Sequence, residues 1–92
     1  MCSSDLIQTL VLWGEVLGDL QRYGEAAQRF HDALASDGTN ARALYGLGVA
    51  QMRGGQPQSA LATLRAFLRQ WRSDDERARR VRAWIAQLEE AP

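Results

Sequence analysis

Ninety-two residues, 46% hydrophobic and 24% charged, suit one globular domain near the lower size limit for a self-sufficient core and leave no room for two. The net charge of zero argues against a dedicated nucleic-acid binder, yet residues 1–40 carry six acids and two arginines while residues 41–92 carry nine arginines and five acids. No stretch reaches the apolar length of a membrane span, and the single cysteine, Cys2, allows neither an internal disulfide nor a Cys/His metal cluster, so a soluble chain is expected.

In chain order, Met1-Cys2-Ser3-Ser4-Asp5-Leu6 reads as the translation of a sequencing-adapter end, so residues 1–5 are expected to be foreign and the natural chain to extend upstream. Apolar residues then recur at helical spacing. Leu6, Leu10, Trp13, Leu17 and Leu20 predict a first helix over about 6–21, and Ala26, Ala27, Phe30, Ala33 and Leu34 a second over about 24–36. Breaks at Asp37-Gly38-Thr39-Asn40 and Gly54-Gly55-Gln56-Pro57 bound a third at about 41–54. Pro57 suits the first turn of a fourth at about 57–71, because its missing N–H has no partner to lose there. Ser73 and Glu76 have the spacing of a capping box for a fifth at about 74–90. The expected fold class is all-α.

The chain matches itself at a spacing of 34 residues. Leu10 pairs with Leu44, Trp13 with Leu47, Gly14 with Gly48, Ala26 with Ala60, Phe30 with Leu64 and Leu34 with Leu68. A second step carries Leu44 to Ala78, Leu47 to Val81 and Gln51 to Ile85. This divides the single domain into repeats at 7–40 and 41–74 followed by a closing helix at 74–90. By this register Trp13 is a core residue, and Trp13→Ala is expected to cost roughly 3–5 kcal/mol. Gly14, Gly48, Ala26 and Ala60 belong where helices cross closely. Two repeats fall short of the three that stable arrays usually need, so modest stability is expected.

No nucleophile–base pair, carboxylate pair, phosphate loop or metal-ligand spacing stands out, so neither catalysis nor a cofactor is expected. His31 reads as a solvated surface histidine. All eleven basic residues are arginine, which a GC-rich bacterial coding bias explains more simply than phosphate recognition; a bacterial cytoplasm or periplasm is the expected compartment. Arg77, Arg79, Arg80 and Arg82, with Arg65, Arg69 and Arg72 before them, read as exposed side chains paired with Asp74, Asp75, Glu76 and Glu89. Trp71 and Trp84 read as packing at the helix junction.

The period and its residues resemble the tetratricopeptide repeat. Leu10, Trp13-Gly14, Leu17, Tyr23, Ala26, Phe30 and Ala33 carry the likeness in the first repeat, and Leu44, Leu47-Gly48, Gly55, Ala60, Leu64 and Leu68 in the second. Gln51, Pro57 and Phe67 depart from the family pattern. The resemblance implies a short right-handed α-solenoid of about five helices, its last helix solvating the end of the array. It also implies a non-enzymatic scaffold that binds a protein or peptide in the groove lined by the first helix of each pair. Projected onto this chain, that face selects Val11, Glu15, Asp19, Arg42, Tyr45, Val49, Met52, Arg53, Arg79 and Arg80. Arg42 and Arg53 would fix a carboxylate or carbonyl there. The family's clamp for acidic chaperone tails is not expected, because Glu15 would repel the ligand carboxylate. Two alternatives stand beside groove binding: a structural end of a longer solenoid, and self-association through the uncovered first helix.

Overall fold

The computed structural model describes residues 3–90, so Cys2 lies outside the described residues. Five helices follow one another: α1 (Ser3–Asp19), α2 (Tyr23–Ser36), α3 (Ala41–Arg53), α4 (Pro57–Gln70) and α5 (Glu76–Glu90). Each packs on its sequence neighbour, and α1 also touches α3 across α2, giving an all-α solenoid.

The two repeats end their first helices in the same way. Arg22 N–H donates to the Leu17 carbonyl at 2.9 Å, and 34 residues on Gln56 N–H donates to the Gln51 carbonyl at 2.8 Å. The residue before each donor is left-handed: Gln21 at φ 63 and Gly55 at φ 83. Glycine adopts that conformation freely, whereas glutamine pays about 1–2 kcal/mol for it. This turn ends α1 at Asp19, short of the expected residue 21.

Asn40 caps α3, its side chain accepting from the Ala43 N–H at 2.9 Å, and Pro57 opens α4 as expected. The last helix starts later than its sequence suggests. Ser73 lies outside α5, and Asp75 takes the capping role, its Oδ1 accepting from the Ala78 N–H at 3.0 Å and the Trp71 indole N–H at 3.1 Å. The indole holds Asp75 in place, a donor that the Ser73/Glu76 spacing does not reveal.

Two buried clusters hold the array together. The first joins α1, α2 and α3 through Val11, Leu17, Ala26, Phe30, Ala33, Ala43, Leu47 and Ala50. The second joins α3, α4 and α5 through Leu44, Leu64, Phe67 and Val81, with Trp71 and Trp84 packed against it. Small residues set the helix spacing. A Cβ on Gly14 would lie 2.8 Å from the Phe30 ring, one on Gly46 2.3 Å from it, and one on Gly48 2.5 Å from Leu64. Burying a side chain such as Phe30 stabilises the fold by about 1.5–3 kcal/mol.

Trp13 is not part of this core. It is 50% exposed, whereas its repeat equivalents Leu47 and Val81 are 3% and 0% exposed. Leu47 is buried because α2 lies over α3, and no described helix lies over the matching face of α1. The 34-residue spacing matches these positions, but among the described residues no helix covers the first of them.

Candidate binding groove

The residues projected onto the groove divide into three sets. Glu15, Asp19, Tyr45, Val49 and Arg53 line one cavity of about 170 Å³ between α1 and α3. Phe30 and Ala50 also line it, with the backbones of Gly14, Gly18 and Gly46 and the side of Tyr23. The 34-residue comparison marks Gly14 as a packing residue, and the structure adds that the α1 and α3 glycines open this space. A Cβ on Gly18 would meet nothing within 4 Å. The lining is apolar below and polar around the rim. Gly14, Gly18 and Gly46 are legible as small residues in the sequence, but a cavity needs two helices brought together before it exists.

Arg42 belongs to a second set. Its Nε and Nη2 each donate to a Glu15 carboxylate oxygen at 2.8 Å, a bidentate pair linking α3 to α1 across 27 residues. The Glu15 hydrogen bond, then its charge, pushes the Arg42 guanidinium above its ordinary value. Two of its donors are thus spent within the chain, and a ligand carboxylate would compete with Glu15 for them.

Four predicted residues lie elsewhere, and Val11 is a correction. It is 2% exposed and sits in the first core cluster, because α1 turns this residue toward α2 and α3. Met52 is half-buried and does not line the cavity. Arg79 and Arg80 lie on α5, outside it. Arg80 donates to Glu76 at 2.9 Å and is raised above its ordinary value by the Tyr45 hydroxyl first and Glu76 second.

Tyr45 connects the cavity to the α5 end. Its ring lies 5.5 Å from Phe67 and 5.8 Å from Trp84, and the Arg77 guanidinium sits 5.0 Å above it and 5.6 Å from the Trp71 ring. Trp71 and Trp84 therefore pack at the helix junction, as expected. The arginines nearby are engaged too: Arg82 with Asp74 at 2.8 Å, and Arg65 with Glu89. The Arg82 hydrogen bond, then its charge, holds Asp74 below the usual carboxylate range. The capping bond from Ala78, then the Trp71 indole, does the same for Asp75. His31 is exposed on α2.

Among the described residues no group of three or more His, Cys, Asp or Glu is placed to hold a metal ion, and no helix is long and apolar enough to cross a membrane. No curated protein and no solved structure matches the chain. The model of one family does match, over residues 19–85, which takes in both helix pairs apart from most of α1 and reaches into α5: the chain belongs to the tetratricopeptide repeat family.

Proposed function

We propose that this chain is a non-enzymatic scaffold whose α1–α3 cavity receives one apolar side chain from a partner peptide, while the rim orients the peptide backbone. Membership of a family of protein-interaction modules supports the class of function. The cavity carries the finer reading. Its volume of about 170 Å³ suits a side chain rather than a free cofactor, since small-molecule sites are commonly about 300–1,000 Å³. Its floor of Phe30, Val49 and Ala50 favours leucine, methionine or phenylalanine. At the rim, Asp19 and Arg53 make no ion pair among the described residues, and each has donors or acceptors to offer a peptide amide or carbonyl. Arg42 acts differently from the sequence expectation: it fixes Glu15 and so the width of the groove.

Gly18→Leu tests this reading because Gly18 lines the cavity and a Cβ there would meet nothing within 4 Å, which leaves room for the side chain to start into that space. Peptides selected from a random display library on the natural chain should bind Gly18→Leu at least tenfold more weakly and be enriched in large apolar residues. Selected peptides that bind both forms equally, or a selection that enriches nothing, would rule the cavity out as the binding site.

A further inference from the structure

Asp19 and Arg53 stand one repeat length apart, so they occupy the same position in successive repeats. Each is the last residue of its helix, α1 and α3 respectively, and both line the cavity between those helices. Their charges are opposite. Both residues are exposed, and neither makes an ion pair among the described residues. One turn back along α1, Glu15 is closed onto Arg42 by two bonds of 2.8 Å. The cavity rim therefore has one neutralised pair and one position where both signs stay open to solvent.

The helix ends show that Asp19 does not serve the stability of α1. The C-terminal end of a helix carries partial negative charge, which a cation offsets and a carboxylate worsens. Arg53 follows that rule in the last turn of α3, whereas Asp19 breaks it on α1. The last-turn carbonyls and the Asp19 carboxylate together make the α1 rim attractive to a cation, and the α3 rim offers a guanidinium to an anion. One repeat further on, the equivalent residue is the neutral Gln87, so the change of sign belongs to this cavity.

A peptide crossing from α1 to α3 with its anchor in the cavity meets both charges. Packed helix axes lie about 8–10 Å apart and an extended chain advances about 3.3 Å per residue, so side chains flanking the anchor reach the two rims. Bonds between ionised partners are roughly twice as strong as those to a neutral amide or carbonyl, which gives charged flanks precedence over the peptide backbone at Asp19 and Arg53.

We propose that the partner peptide carries a basic residue on the α1 side of its apolar anchor, taken by Asp19, and an acidic residue on the α3 side, taken by Arg53. This rests on the α1–α3 cavity as the binding site. Exposed charge pairs add little affinity, and like charges in their place repel, so the gain is selectivity between partners rather than tight binding.

Parallel selections from one random peptide display library at low ionic strength, on the natural chain, Asp19→Lys and Arg53→Glu, test it. The natural chain should enrich a large apolar residue with one basic and one acidic neighbour. Asp19→Lys should keep the anchor and enrich acidic residues on both sides, and Arg53→Glu should keep it and enrich basic residues on both sides, whichever way the peptide runs. A peptide selected on the natural chain should bind each variant roughly three- to tenfold more weakly, a difference that about 0.5 M salt narrows. Asp19→Asn and Arg53→Gln, which remove a charge without reversing it, should each lose only the matching flank.

An anchor enriched without charged neighbours, or with the same neighbours on every chain, overturns the charge assignment and leaves the cavity standing as the binding site. Enrichment of no apolar anchor on any chain removes the cavity as the site, and this proposal with it.

Discussion

The two ends of this array treat equivalent surfaces in opposite ways. At the α5 end, Ala78 and Val81 are fully buried, Trp71 and Trp84 close the junction, and the outer face carries arginines paired with Asp74, Glu76 and Glu89. At the α1 end, Trp13 holds the position of Val81 two repeats earlier and stands half in solvent with Leu6, Val16 and Leu20. The same periodic pattern is thus a core in one place and a surface in another. A repeat position acquires its energetic meaning from its neighbour, because each repeat buries its apolar face only against the next.

Leu47, between the two ends, gives the largest effect. It is 3% exposed beneath α2, and Leu47→Ala removes buried methyl groups and leaves a space that α2 cannot fully close. A loss of roughly 2–5 kcal/mol is expected in denaturant unfolding. In a domain of this size each kcal/mol lowers Tm by about 4–8 °C, so the variant should melt far below the parent. An unmoved melting curve would break the comparison at its centre, since it would mean that α2 does not clamp α3.

How much of this was legible in the sequence depends on the range of the interaction. The helices and the 34-residue register were legible because they rest on local spacing and on glycine, asparagine and proline chemistry. Gly14 and Gly48 were readable as close-approach positions for the same reason, and their backbones do abut Phe30 and Leu64. The Asp75 cap was not, because it relies on an indole donated from the end of α4. Of the residues projected onto the groove, Glu15, Asp19, Tyr45, Val49 and Arg53 line one cavity. The bidentate use of Arg42 was invisible, since it needs a partner 27 residues away. Val11 and Trp13 failed together. Each is apolar on a helix with two apolar faces, and the pattern alone does not say which face meets the protein and which meets solvent.

A smaller effect sharpens the contrast from the α5 end. Asp75 and Asp74 are held below the usual carboxylate range in the folded chain, so the unfolded chain binds protons more readily. Their contribution is complete above the ordinary aspartate value of about 3.9 and is lost as pH falls through the lower folded values. Acid should therefore release the α5 end, reported by emission from Trp71, whose indole Asp75 accepts. Asp75→Asn should be less stable than the parent near neutral pH, and the difference should shrink in acid. A difference that stays constant down to strongly acidic pH would show that the cap carries no titrating contribution.

The smallest effect belongs to the residue that sequence reasoning ranked among the largest. Trp13 is half exposed, and the Arg29 guanidinium lies over its ring, 4.7 Å from the ring centre. An exposed pair of that kind contributes about 0.5–1 kcal/mol, and alanine is a better helix former than tryptophan, which offsets part of the loss. Trp13→Ala should thus change the unfolding free energy of the dilute chain by less than about 1 kcal/mol, against the roughly 3–5 kcal/mol of a buried aromatic. The measurement separates the two ends cleanly, because it is local to α1 and independent of what later covers that helix. A loss of several kcal/mol in dilute solution would mean that α1 folds its tryptophan inward, making the first repeat a copy of the second rather than its uncovered counterpart.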